Sequence, residues 1–250
     1  MSTELIRRRH LYEKKRTTVV EESKYVYTKT IHNVKWAVGM TVAYRRNPTV
    51  QYTVNSLAAA GWREPYLFCE PNANDLPKDT LTLYNKEILG NWGNFCRRLK
   101  HMVRMRADKL LFVQDDVEFL PDTRQWLEDN WPCNEGVVSL YRSSRYDTNK
   151  DETEKPNTVY DILSLGRPFL GMLALAMSKE QAESLLQNID VMADPNPSQD
   201  DMKFGKYVHA LRIPVNIVLK SRCQHIDATS SIYPHTNKIT KLRQADTYVK

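Results

Sequence analysis

Two adjacent carboxylates follow a buried-looking apolar segment near the middle of the chain. In LLFVQDDVEF, residues 110–119, four apolar residues lead into Gln114, Asp115 and Asp116. Like charges this close repel each other, and neither can be buried without a partner, so we expect a positive group beside them. A divalent cation fits, because Mg²⁺ and Mn²⁺ are bound by one or two carboxylates together with phosphate oxygens. The alternative is a solvated acidic turn, since Asp often begins turns.

Alternating strand and helix patterns surround this motif and must position it. The sequence predicts an α/β fold with a mostly parallel central sheet and helices on both faces. Ser178 and Gln181 form a capping box at the start of one of the helices. The predicted strands are 34–44, 65–70, 109–114, 136–141, 168–177 and 213–219, and the predicted helices are 48–61, 91–106, 121–131, 178–189 and 201–212.

Polar side chains follow several of the predicted strands. Tyr44, Arg45 and Arg46 come after the first strand, Glu70 after the second, and the acidic motif after the third. Ligands of open parallel sheets bind beyond the carboxyl ends of the strands. We therefore expect these side chains to share one rim of the sheet.

The composition suits one soluble domain with an anionic partner. The chain has 250 residues and a formal net charge of +6. Basic clusters lie in a predicted N-terminal extension, residues 1–33, and in a predicted tail, residues 236–250, on either side of a domain at 34–235. No apolar run is long enough to cross a bilayer, and the N-terminus lacks a secretory apolar segment, so we expect a cytoplasmic location. The four cysteines are far apart and predict reduced thiols rather than a zinc site.

The motifs and their order resemble the GT-A class of glycosyltransferases. FVQDDVEF (112–119) resembles the D-x-D-type motif of that class, with Gln114 at its first position. VGMTVAYRRNPTVQYTVNSLAAAGW (38–62) resembles the opening strand and helix, and LGNWGNFCRRLKHMVRMRADKLLFVQDD (89–116) resembles the helix that leads into the motif. PSQDDMKFGKYVHALRIPVNIVL (197–219) resembles the late acidic motif, and CQHIDATSSI (223–232) the closing segment. The resemblance implies a GT-A, Rossmann-like fold.

The resemblance also implies a reaction and a set of site residues. The enzyme would move a sugar from a nucleotide sugar, such as a UDP-sugar, to a hydroxyl group with inversion at the anomeric carbon. Asp116 and His225 would bind Mn²⁺ or Mg²⁺, Asp201 would be the general base, and Asp200 would orient the acceptor. The nucleotide sugar would be bound by Tyr44, Arg45, Arg46, Glu70, Asn91, Trp92, Asn94, Arg97, Arg98, Gln114, Asp115 and Gly171.

Several of these residues also have a purely structural interpretation. Asp200 and Asp201 equally fit a helix N-terminus, where acids are favoured. Trp92 fits a core position, His225 an ordinary surface histidine, and the two arginines at 97 and 98 the solvated face of a helix.

The acceptor and the reaction class stay open from the sequence. Glycan, lipid-linked sugar, protein and hydroxymethylated pyrimidine in DNA all fit as acceptors, and the basic termini favour DNA, whose target base an enzyme must flip out of the duplex. One alternative is a non-catalytic nucleic-acid-binding protein that uses basic termini and stacking tyrosines. Another is a metal-dependent nucleotidyltransferase or nuclease, although such an enzyme usually needs more acids around two metals.

Overall fold

A computed structural model describes residues 34–131, 136–143, 169, 171–189, 200–218 and 220–226. The predictions for residues 1–33, for Cys133 and for the tail from residue 236 lie outside the described residues. Among the residues described, no helix is both long and apolar enough to cross a membrane.

A mostly parallel sheet is the centre of the fold, as predicted. In the described part of the chain, seven strands form one sheet in the order β3-β2-β1-β4-β7-β6-β8, and a separate two-stranded ribbon pairs β5 with β9. Strand β7 is antiparallel to both β4 and β6, whereas β1, β2, β3 and β4 are parallel to one another. The strands are β1 (Trp36–Val42), β2 (Tyr66–Cys69), β3 (Leu81–Tyr84), β4 (Lys109–Gln114), β5 (Val117–Phe119), β6 (Val137–Ser139), β7 (Ala174–Ser178), β8 (Val215–Ile217) and β9 (Cys223–His225).

Helices cover both faces of the sheet, which confirms the predicted α/β architecture. The helices are α1 (Val50–Ala59), α2 (Gly90–Met102), α3 (Thr123–Asp129), α4 (Lys179–Ile189) and α5 (Asp200–Ala210). Leu57 of α1 and Leu127 of α3 pack on one face, and Phe95, Leu185 and Phe204 of the other three helices pack on the opposite face. Burying each of these side chains contributes about 1.5–3 kcal/mol, so the two faces hold the strands at fixed positions.

Local differences from the predicted elements have simple causes. Ser178 accepts a hydrogen bond from the amide of Gln181 (3.1 Å), which confirms one half of the predicted capping box of α4, whereas Gln181 Oε1 accepts from the amide of Gly136 (3.0 Å). Helix α2 ends at Met102 rather than at residue 106, because the next residues form turns. Strand β3 lies at an edge and is partly exposed, so its sequence carries no buried pattern, and β5 and β9 are three residues long.

Candidate functional site

The predicted rim exists at the carboxyl ends of the parallel strands. The register places Thr41 opposite Gln114, Val42 opposite Cys69, and Cys69 opposite Tyr84. The segments after β1, β2 and β4 therefore emerge at one edge of the sheet. Strand β7 runs the other way, so its beginning lies at this edge, where the amide of Gln114 donates to the carbonyl of Leu173 (3.0 Å).

Arg45 is the positive partner of the two carboxylates. Its Nη2 lies 2.6 Å from Asp115 Oδ1 and 3.1 Å from Asp116 Oδ2, and its Nε donates to Asp115 Oδ1 at 3.0 Å. All three side chains are buried. Burial favours the neutral form of Arg45, but Asp116 and Asp115 outweigh burial and raise its pKa. Burial raises the pKa of Asp115, and Arg45 opposes that rise. The chain itself thus supplies, in Arg45, the positive group that relieves the repulsion between Asp115 and Asp116.

Helix α1 fixes the backbone of the acidic motif. The hydroxyls of Thr49 and Thr53 both donate to the carbonyl of Asp115 at 2.8 Å, and Thr53 Oγ1 accepts from the amide of Val117 at 3.1 Å. The amide of Ala43 donates to Asp115 Oδ2 (3.2 Å). The sequence prediction missed these two threonines, although their spacing of four residues on a helix places both on one face.

The β5–β9 ribbon brings His225 to Asp116. Val117 pairs with His225 in the ribbon, and the amide of Ile226 donates to the carbonyl of Asp116 at 2.8 Å. His225 Nδ1 has no hydrogen-bond partner among the residues that the structure describes, and it lies 3.4 Å from Asp116 Oδ2. The resemblance assigned Asp116 and His225 to a metal. These residues are 109 positions apart in the sequence and are neighbours in the fold.

The pair of Asp116 and His225 fits a divalent cation whose other ligands come from a bound molecule. Two ligands about 2.1 Å from one ion lie about 3.0 Å apart in an octahedron and about 3.4 Å apart in a tetrahedron, and the observed separation lies within that range. Within the described segments, no group of three or more His, Cys, Asp or Glu residues is placed to hold a metal. The described residues would thus supply two ligands, and further ligands would have to come from elsewhere.

Asp200 lies close to the acidic motif at the start of α5. Its Oδ2 accepts from Gln114 Nε2 at 3.3 Å, and its Oδ1 accepts from the amide of Asp201 at 3.0 Å. Burial is the largest influence and raises its pKa, while the hydrogen bonds and the charge of Arg98 oppose that rise. A buried carboxylate with a raised pKa is a better proton acceptor near neutral pH than an ordinary one.

Asp201 has a different position. Its Oδ1 accepts from the amides of Gly171 (3.2 Å) and Met172 (2.9 Å), in the segment that leads into β7. A Cβ on Gly171 would lie 2.7 Å from both Ser139 Oγ and the ring of Phe169. The contacts of Asp201 therefore fix this segment at the rim, and its role as general base stays a prediction.

Two arginines of α2 bind backbone carbonyl groups. Arg98 is buried, and its Nη1 donates to the carbonyls of Gly39 (3.0 Å) and Val113 (2.8 Å), which joins β1 to β4. Burial lowers the pKa of Arg98 to about 9, against the effect of Asp200. Arg97 donates to the carbonyls of Leu83 (3.2 Å) and Tyr84 (2.9 Å) and to Asn85 Oδ1. Both side chains thus stabilise the backbone of the strands that end at the rim.

The other predicted binding residues divide into buried and exposed groups. Glu70 is buried and accepts from Asn85 (3.0 Å) and from the amide of Leu89 (3.1 Å), next to the start of α2. Asn94 donates to the carbonyl of Phe68 at 3.2 Å.

Trp92 stacks on Phe95 and Tyr207 in the core, as its structural interpretation expected. Asn91 is half-buried, and Tyr44 and Arg46 are exposed in the segment after β1.

Comparisons with known proteins find similar folds among solved structures and no match in sequence. No family description matches the sequence, and no curated protein matches it. The inositol-1-phosphate CTP transferase from T. maritima has a TM-score of 0.50 at 12% identity, over 84% of this chain and 95% of that one. A putative glucose-1-phosphate thymidylyltransferase from Bacillus anthracis has a TM-score of 0.47 at 10% identity, over 76% and 89%. A CMP:2-keto-3-deoxy-manno-octonic acid synthetase has a TM-score of 0.44 at 14% identity, over 73% and 88%.

At such low identity the similarity to the T. maritima protein shows the fold alone. It agrees with the predicted Rossmann-like α/β class, and it does not single out glycosyltransferases.

Proposed function

We propose that this chain is an enzyme that binds a nucleoside phosphate at the carboxyl rim and transfers a group from it to an acceptor. The observation that supports this most directly is the meeting of Arg45, Asp116 and His225 at one point of the rim, from three separate segments of the chain. A solvated acidic turn would not need such partners. A divalent cation held by Asp116 and His225 would neutralise the charge that develops on the leaving phosphate.

Nucleotidyl transfer is the form that the fold comparison favours over glycosyl transfer. The T. maritima protein is named as a CTP transferase acting on inositol 1-phosphate. In such a reaction a phosphate oxygen of the acceptor attacks the α-phosphorus of a nucleoside triphosphate, and pyrophosphate leaves. The acceptor phosphate is already ionised, so the chain's own residues need only bind and orient the two phosphates.

Glycosyl transfer is the second form, and the position of Asp200 beside the acidic motif is the observation that favours it. An acceptor hydroxyl must lose a proton as it attacks the anomeric carbon, and a nucleoside diphosphate then leaves. The buried carboxylate of Asp200, bound to Gln114 beside the acidic motif, is placed to take that proton. DNA as the acceptor gains no support from the comparisons, and the basic termini that suggested it lie outside the described residues.

One assay separates the two forms. The protein is incubated with Mn²⁺ and either nucleoside triphosphates with sugar 1-phosphates, or UDP-sugars with hydroxyl acceptors. Release of pyrophosphate in the first mixture supports nucleotidyl transfer, and release of UDP in the second supports glycosyl transfer. Asp116→Asn should abolish either activity, while Arg63→Gln, an exposed change outside the site, should not.

Binding of nucleotides decides the broader proposal. If neither product appears, and neither nucleoside triphosphates nor UDP-sugars bind in the presence of Mn²⁺, the proposed function is wrong.

A further inference from the structure

We propose that Arg45 competes with the divalent cation for Asp116, so that the cation binds tightly only together with a nucleoside phosphate. The proposal rests on the proposed function, because that function supplies the cation and the nucleotide. It gives Arg45 a role beyond binding the nucleotide: it couples the binding of the cation to that of the nucleotide.

The competition follows from the position of one oxygen. Asp116 Oδ2 lies 3.1 Å from Arg45 Nη2 and 3.4 Å from His225 Nδ1. A cation bound between Asp116 and His225 would sit about 2.1 Å from this oxygen. The cation and the guanidinium group would then be close to the same oxygen and would repel each other. Entry of the cation should therefore weaken the contact of Arg45 with Asp116, while its two contacts with Asp115 can hold it nearby.

The local charge explains why the nucleotide matters. Asp115, Asp116 and Arg45 together carry a charge of −1, and the affinity of an oxygen site for a divalent cation rises with the number of uncompensated carboxylates. A nucleoside phosphate adds negative oxygens that complete the ligands of the cation and can accept the displaced guanidinium in charge-assisted hydrogen bonds. Each component should therefore raise the affinity of the other by the same factor.

The test measures binding rather than turnover. Mn²⁺ is titrated by calorimetry into the full chain alone, and again in the presence of saturating CTP or UDP. In the wild type, we expect the nucleotide to tighten Mn²⁺ binding at least tenfold. Arg45→Gln should bind Mn²⁺ alone about tenfold more tightly than the wild type, and the further gain from the nucleotide should shrink. Arg63→Gln removes an equal charge from an exposed site and should behave as the wild type.

A second variant keeps the test valid if Arg45→Gln does not fold. Arg45→Gln combined with Asp115→Asn removes one charge of each sign, removes the contact of Arg45 with Asp116, and should also tighten binding of Mn²⁺ alone. A thermal melt confirms that each variant is folded.

The outcomes distinguish this inference from the proposed function. If the wild type binds Mn²⁺ equally well with and without nucleotide, or if the folded Arg45 variants bind Mn²⁺ no more tightly than the wild type, the competition does not exist. Equal tightening by Arg63→Gln would also overturn it, because the effect would then be one of net charge. If no nucleotide binds under any condition, the proposed function fails together with the inference.

Discussion

Replacing Arg45 by methionine removes the charge that compensates two buried carboxylates. The Nε and Nη2 groups of Arg45 bind Asp115 at 3.0 and 2.6 Å, and each hydrogen bond to a charged group contributes about 1.5–3 kcal/mol. Breaking a buried pair by removing one partner costs about 3–5 kcal/mol, because the other charge stays buried. We therefore expect Arg45→Met to lower the free energy of unfolding by about 4 kcal/mol, and the melting temperature by about 8–16 °C.

Urea unfolding followed by tryptophan fluorescence measures this change, with an unchanged slope against urea as the sign of a pure stability effect. Glu183→Gln is the matched control. Its ion pair with Lys179 spans 4.0 Å at the surface, so its loss should change stability by less than about 0.5 kcal/mol. Adding Asp115→Asn to Arg45→Met should recover part of the lost stability. An Arg45→Met protein within about 1 kcal/mol of the wild type would refute the assignment of Arg45 as the compensating charge.

Three further outcomes follow from the site and its surroundings. Asp116→Asn should weaken Mn²⁺ binding in the presence of nucleotide at least tenfold, which calorimetry measures, because it removes a charged ligand. Burial raises the pKa of Asp200 above its ordinary value of 3.8, so the folded state holds this proton more tightly than the unfolded state does. The stability that the bound proton contributes is therefore lost as pH rises through the folded pKa. Asp200→Asn should reduce that loss, which unfolding measurements between about pH 4 and pH 8 would show. Burial raises the pKa of Cys69 to about 12 and that of Cys223 well above its ordinary value, so at about pH 8 both thiols should resist alkylation in the folded protein and react after denaturation, as peptide mass spectrometry would show.

The sheet and its rim could be predicted because their signals are local. β1 and β4 are continuous apolar runs, and the polar residues after them necessarily emerge at the edge where parallel strands end. The like charges of Asp115 and Asp116 likewise required a positive partner. The sequence does not reveal whether that partner is an arginine or a metal, because the answer depends on the path of the segment between β1 and α1.

The role of Arg98 shows where sequence reasoning was incomplete. Charged helix residues usually face solvent, so the sequence predicts a solvated or nucleotide-binding side chain for Arg98. However, it follows Phe95 by three residues and precedes Met102 by four, so the helical period places it on the apolar face. That spacing could have indicated burial, although not the two carbonyl groups that Arg98 binds.

The β5–β9 ribbon could not be predicted for a different reason. Three residues on each side give no usable alternation, and their pairing joins positions more than 100 residues apart along the chain. The pairing is decided by tertiary packing around Asp116 and not by local preference.

The ribbon also determines how far the chain can be shortened. Residues 223–226 follow the last strand of the main sheet and could be mistaken for the beginning of a dispensable tail. Their removal would strip Asp116 of the amide of Ile226 and of the imidazole beside it, and would expose one edge of β5. A shortened protein that ends before Cys223 should therefore keep its central sheet and still lose the geometry around its acidic motif.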